Sequence, residues 1–272
     1  MWLPRGSLIA RIQSWGFMSV VAKAGLLSTP PYRVPIPEAL NGSAIATYAM
    51  DEPVLSTRSV LETLAAPHRR FIAKADADLQ PDGSVPSMNL RPRAVVLAAG
   101  EGNAELLKKI GLQPDLMQRR PLNMFLLRGD LPDLFGHCVA GGKTRLTVTT
   151  PDSGIWQIGG EIAERESTFD EIRRWLPGVD FSGVEFATYR ANRAEARTSD
   201  LRRPSGVHVS VVKPNIAVAW PTKLALAPVL ADEVFSALDL KEPGRYDGEL
   251  PEWPAPSVAP YPWQEASWSR VQ

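Results

Sequence analysis

The feature that most constrains this chain is a run of six apolar residues, Ala94-Val95-Val96-Leu97-Ala98-Ala99, that stops at Gly100-Glu101-Gly102. The residues are apolar in succession rather than alternating, which predicts a strand covered on both faces, as in the parallel sheet of an α/β domain. A short helix is predicted to follow over Ala104–Ile110, stopped by Gly111. Such a strand needs neighbours on both edges. The residues upstream offer only a strand candidate at Arg70–Lys74 and a turn at Pro81-Asp82-Gly83, which together read as a small meander. An apolar strand with an open edge is an aggregation hazard, so either a second chain completes the sheet or the reading frame begins inside a longer gene.

Downstream the pattern changes. Asn123–Arg128, Arg145–Thr149 and Ile155–Gly159 read as strands, and Pro151-Asp152-Ser153-Gly154 joins the last two as a hairpin. A helix is predicted over Phe169–Leu176, strands over Val207–Val212 and Ile216–Trp220, and an amphipathic helix over Leu224–Leu238. Ser56 or Thr57 is placed to cap a helix carrying Val60, Leu61 and Leu64. The expected fold class is α/β (α+β): a partial parallel sheet with a meander, plus an antiparallel sheet with helices.

Composition excludes several classes of partner. Lys+Arg and Asp+Glu number 30 each in 272 residues, so no net field favours nucleic acid or an acidic membrane. One cysteine, Cys138, precludes an intramolecular disulfide and fits a reducing, cytoplasmic setting. The run Gly16–Ala22 is too short to span a membrane; an amphipathic helix from Ser7, carrying Leu8, Ile9, Ile12 and Trp15, is the expectation there. His68, His137 and His208 lack metal-ligand spacing, so no metal is expected.

Three nucleotide motifs are nearly present. Gly100-Glu101-Gly102-Asn103-Ala104-Glu105 follows a strand and opens a helix like a dinucleotide fingerprint, but Glu105 stands where close helix–strand packing requires Gly or Ala. Leu97 to Gly102 resembles the opening of sugar nucleotidyltransferases, yet continues Asn103-Ala104 in place of the phosphate-holding Thr-Arg. Gly136 to Gly142-Lys143-Thr144 mimics a P-loop with one residue too many between its glycines, and it is followed by a strand where a helix is required.

The segments in order resemble the later part of the FAD-dependent oxidoreductases of the D-amino-acid oxidase and glycerol-3-phosphate dehydrogenase type. The resemblance is carried by Ala94 to Asn103, Gln118-Arg119-Arg120-Pro121-Leu122-Asn123-Met124 and Leu134-Phe135-Gly136-His137-Cys138. It continues through Arg145 to Thr149, Ile155 to Gly160, and Val218-Ala219-Trp220-Pro221-Thr222-Lys223 up to Pro228. It implies FAD as cofactor and hydride transfer from a carbon bearing an amine or hydroxyl in a small substrate. It implies cofactor contact at Ala98, Ala99, Gly100, Gly102 and Asn103, and at the turn Trp220, Pro221, Thr222 and Lys223, where a helix N-terminus would face the flavin edge. The antiparallel sheet would form a wall of the substrate site, with His137 and Arg145 as candidates for holding substrate.

On this reading the chain divides into a helical and Pro-rich segment 1–53, a partial FAD-binding region 54–115 and an antiparallel substrate domain 116–212. A return to the FAD-binding region follows over 213–242, then a Pro/Trp-rich tail 243–272 packed on the body. The departure from the family is the strand–GxGxxG–helix unit that grips the FAD pyrophosphate, which is not found before residue 90. The alternatives are a non-catalytic binding protein that kept the fold, and an NAD-type dehydrogenase using the Gly100 loop.

Overall fold

The computed structural model describes residues 1–5, 30–220, 223–240 and 253–270. The expected helix from Ser7 lies outside the described residues. The chain forms two compact units, one of Met1–Leu64, Leu122–Ala191 and Val258–Gln272, the other of Ala65–Pro121 and Asn192–Ser257.

The strands, in chain order, are β1 (Trp2–Pro4), β2 (Tyr32–Val34), β3 (Ala44–Ala49), β4 (Val95–Leu97), β5 (Met117–Arg128) and β6 (Gly136–Ala140). They continue as β7 (Lys143–Asp152), β8 (Ile155–Gly159), β9 (Glu185–Ala196), β10 (His208–Lys213), β11 (Ile216–Trp220) and β12 (Ser269–Arg270). The α-helices are α1 (Thr57–Ala65), α2 (Asn103–Lys109), α3 (Phe169–Trp175) and α4 (Ala227–Ala237).

The first unit is built on a nine-stranded sheet of order β12-β9-β5-β8-β7-β6-β1-β3-β2. The pairings β2–β3, β1–β3, β6–β7, β7–β8, β5–β8 and β9–β12 are antiparallel, while β1 runs parallel to β6. The near P-loop is the β6–β7 hairpin: Gly141 and Gly142 both take φ near +60 to +71°, the left-handed pair that a two-residue primed turn demands. Ser153-Gly154 turns β7 into β8 as expected. One face of the sheet is apolar. Cys138 and Leu146 pair across β6–β7, Val148, Ile158 and Phe125 line up across β7–β8–β5, and all are buried with Trp156, Ile172 of α3 and Leu176. Each such side chain contributes about 1.5–3 kcal/mol relative to exposure. Helix α3 starts where the sequence places it, because the Glu171 carboxylate accepts the Thr168 backbone N–H at 3.4 Å.

The second unit is a three-stranded sheet of order β10-β11-β4 with a helix on each face. On one side Leu97, Ile216, Val218 and Trp220 pack with Leu107 of α2 and Ile110. On the other, Ala219 packs with Leu230 and Val234 of α4. β11 pairs antiparallel with β10 and parallel with β4.

Three expectations are corrected by the structure. The strand covered on both faces is β11, whose five residues are all buried, and not the Ala94–Ala99 run. Only Val95–Leu97 of that run is strand; it lies at the edge of the sheet, and Val96 is 40% exposed. Arg70–Lys74 is no strand, because Pro67 opens a 3-10 turn over Ala66–Phe71 and the chain then runs without regular structure. The expected meander is accordingly reduced to a single bridge, Val85–Leu90, ahead of β4. Helix α1 forms as expected on its Ser56 cap, whose Oγ accepts the Ser59 N–H at 3.3 Å, and none of its residues is buried.

Candidate functional site

Parallel strands have one property that antiparallel hairpins lack: their carboxyl ends lie side by side. Here Ile216, Ala217 and Val218 of β11 stand opposite Val95, Val96 and Leu97 of β4, so β4, which continues into Ala98–Gly102, and β11, which ends at Trp220, finish at the same edge. That edge is where open α/β sheets receive ligands. The loop turns at Gly100, with φ +58°, and a Cβ built there would meet nothing within 4 Å. Ala98 and Ala99 are exposed. The combination of small side chains, a left-handed glycine and open space fits the edge of a flat cofactor such as a flavin.

Asn103 fixes the loop from beneath. It is fully buried; its Oδ1 accepts the Ala99 N–H at 2.8 Å and its Nδ2 donates to the Ala219 carbonyl at 3.4 Å, tying the end of β4 to β11. Glu101 is held outside by Arg119 Nε at 2.7 Å and by Asn192 Nδ2 at 3.2 Å. Trp220 is buried beneath the same edge, and its Nε1 finds no hydrogen-bond partner among the described residues. Pro221 and Thr222 lie outside the described residues. Lys223 is exposed and precedes a 3-10 turn over Leu224–Leu226. The α-helix therefore begins at Ala227 rather than at Leu224, with Pro228 in its first turn, where its missing N–H costs no helical bond.

The first unit carries a second polar surface. On the sheet face opposite the apolar core, His137 pairs with Thr147, Thr147 with Gly159, and Thr149 with Gln157. His137 Nδ1 lies 2.9 Å from Thr147 Oγ1, and Gln157 Nε2 donates to Tyr189 Oη at 2.8 Å. Burial lowers the proton affinity of the His137 imidazole, against the pull of Glu52, whose Oε2 is 3.5 Å from Nε2. Burial likewise raises the Tyr189 phenol, with the Gln157 bond opposing.

Arg145 belongs elsewhere in that unit. It is the extra residue of a bulge in β7; its Nε donates to the Ala140 carbonyl at 3.0 Å and its Nη1 to the Glu161 carboxylate. It lines a cavity of about 280 Å³ with Glu161, Arg165, Glu171, Arg174 and Trp175. The structure thus gives His137 and Arg145 separate partners. Cys138 faces the core, and burial pushes its thiol up to about 12, with Arg145 acting in the other direction. His208 bonds Ser210 Oγ at 2.8 Å, and no cluster of metal-ligating residues exists among the described residues. Glu52, Thr147, Gln157 and Tyr189 were not singled out from sequence. The Thr147-Val148-Thr149 alternation beside a Gly-Gly turn is the signal that would have paired Thr147 with His137; Glu52 had none.

No family model matches the chain. Over 202 residues it is 38% identical to the probable FAD-dependent oxidoreductase PA4991 of Pseudomonas aeruginosa, across 67% of this chain and 51% of that protein. The chain spans about half the length of the curated relative it matches. The crystal structure of the same Pseudomonas aeruginosa protein superposes with a TM-score of 0.69 at 28% identity, covering 93% of this chain and 83% of that one. An L-amino acid deaminase from Proteus vulgaris, with its specific insertion sequence deleted, reaches a TM-score of only 0.43 at 15% identity over 63% of this chain and 45% of its own. That value is too low to carry an argument. No helix among the described residues is long and apolar enough to cross a membrane. The sequence identity to PA4991, together with the shared mixed α/β architecture, makes this chain a member of the FAD-dependent oxidoreductase family.

Proposed function

We propose that this chain belongs to an enzyme that oxidises an amine- or hydroxyl-bearing carbon of a small substrate with FAD as acceptor. The observation that carries the reading is the open glycine loop at the joined carboxyl ends of β4 and β11, in a chain related to FAD-dependent oxidoreductases. Bound FAD would supply the acceptor for the hydride and its electron pair.

The chain's own residues supply position and polarity. Ala98, Ala99, Gly100 and Gly102 let the backbone approach a ring closely. Asn103, being buried with both amide atoms engaged, positions that loop rather than touching the ligand. Trp220 ends the adjoining strand β11, and the Lys223 cation beyond it would favour negative charge developing on a reduced ring. His137 and Arg145 are assigned to the substrate: the imidazole through its polar sheet face, the guanidinium through its cavity.

Titrating the full-length chain into FAD and following flavin fluorescence tests the reading. It is supported by binding that Gly100→Val weakens tenfold or more. Flavin ignored by the unsubstituted chain, or bound equally by Gly100→Val, would overturn it.

A further inference from the structure

Glu171, Arg174 and Trp175 stand at i, i+3 and i+4 of α3, so they share one face of that helix. All three line the cavity of about 280 Å³, which lies within the first unit. A glutamate three residues ahead of an arginine is that arginine's ordinary helical partner. Here the Glu171 carboxylate is taken from outside the helix: Arg165 donates to its two oxygens at 2.6 and 3.2 Å. Glu161, on the opposite wall, is occupied too, by Lys143 at 3.0 Å and by the Arg145 guanidinium. The neighbouring Arg173 faces Asp170 and lies over the Phe169 ring, 4.8 Å from its centroid. Arg174 is left with neither hydrogen bond nor ion pair among the described residues, and the Trp175 indole N–H is equally unengaged there. Ile162, buried in the core, completes the lining. The cavity thus offers a free guanidinium fork, a free indole N–H and an apolar wall.

We propose that this cavity binds a small organic carboxylate through Arg174. The two carboxylate oxygens accept parallel N–H bonds from the guanidinium fork, and the Trp175 indole N–H is a third donor. The apolar remainder of the ligand rests on Ile162 and the Trp175 ring. A single negative charge is favoured over a phosphate dianion because two carboxylates line the same space. Burial raises the Glu161 carboxyl, but Lys143 and Arg145 lower it further, and Arg165 lowers Glu171, so both are ionised at neutral pH. The volume lies just under the range that takes drug-sized ligands, which fits a body no larger than a six-membered ring. Arg145 and Arg165, each engaged by a carboxylate, border the ligand and fix the wall. Recognition is complete within this one cavity and needs no flavin, so the inference goes beyond the reading above and is tested apart from it.

Isothermal titration calorimetry on the full chain, at low salt and without FAD, tests the site with cyclohexanecarboxylate as probe. The expected result is saturable one-to-one binding that Arg174→Gln weakens about tenfold or more, that Arg174→Lys restores in part, and that Arg173→Gln leaves unchanged. The neutral cyclohexanecarboxamide should not bind, and inorganic phosphate should bind about tenfold more weakly than the probe. Nitrogen-15 spectra of the eight tryptophan indoles, with Trp175→Phe for assignment, locate the probe: the Trp175 signal should move in step with the calorimetric isotherm. No saturable binding, equal binding by Arg174→Gln, or a Trp175 signal that stays in place while others move overturns the site. Phosphate or the amide bound as tightly as the probe overturns the carboxylate as its ligand. Titrating the same protein with FAD keeps the two readings apart. FAD bound with the probe ignored removes this site alone, and the probe bound with FAD ignored removes the flavin reading alone.

Discussion

Replacing Asn103 by Ala isolates the link between the two strand ends. The side chain is fully buried and makes two bonds, a short one from the Ala99 N–H at 2.8 Å and a longer one to the Ala219 carbonyl at 3.4 Å. A net contribution of about 1 kcal/mol per bond, plus the space left by the amide, gives an expected loss of about 2 kcal/mol. At about 2–4 °C per kcal/mol for a chain of this size class, the thermal midpoint should fall by roughly 4–8 °C. Differential scanning calorimetry would read it, beside Glu105→Ala on the same helix, whose exposed bond to Lys108 should leave the midpoint in place. The same variant should lose FAD affinity more than any surface change, because the Gly100 loop is released from β11. A midpoint within about 1 °C of the parent would refute the assignment of Asn103 as the tie between β4 and β11.

Other outcomes follow from single contacts. A Cβ on Gly178 would lie 1.6 Å from the Asn41 carbonyl oxygen, so Gly178→Ala should cost about 3 kcal/mol or more, seen as a lower urea midpoint or a loss of soluble protein; a near-parental midpoint would show that the backbones can separate. The Arg165 guanidinium holds the Glu171 carboxyl below the usual range, outweighing its partial burial. A depressed folded-state value means that the stabilisation is present above the ordinary value of about 4.3 and is lost as pH falls through the folded one. The stability gap between the parent and Glu171→Gln should therefore close in that acid window and be constant above it; a gap that widens on acidification would contradict the pair. Cys138, buried with its thiol pushed up to about 12, should ignore a disulfide reagent at pH 8 in the folded chain and release one equivalent on denaturation. Rapid labelling of folded protein would mean that β6 opens.

Much of the fold was legible because its signals are local. Two glycines at Gly141-Gly142 force a primed turn, Thr168 with Glu171 marks a helix start, and the alternation in β7 assigns one face to Leu146 and Val148. The Ala94–Ala99 run misled for the same reason: succession of apolar residues reports that a strand is apolar, not how many neighbours it has. The site was legible in part. Gly100 and the small residues before it stand out in sequence, whereas Glu52 comes from a proline-flanked stretch with no periodicity and meets His137 only through the β1–β6 and β1–β3 pairings.

The sequence by itself determined the family, since ordered motifs survive in the linear string, and it determined the four described α-helices and half of the described strands, since these depend on periodicity and capping within a few residues. Tertiary structure decided which strand is central. β11 is buried throughout because a strand lies on each side of it and a helix on each face, while β4 ends at an edge. It also decided what Asn103 does, because a side chain in a helix's first turn becomes a tie only when a parallel neighbour brings the Ala219 carbonyl within reach. Parallel pairing joins residues more than a hundred positions apart, and no local pattern records that distance.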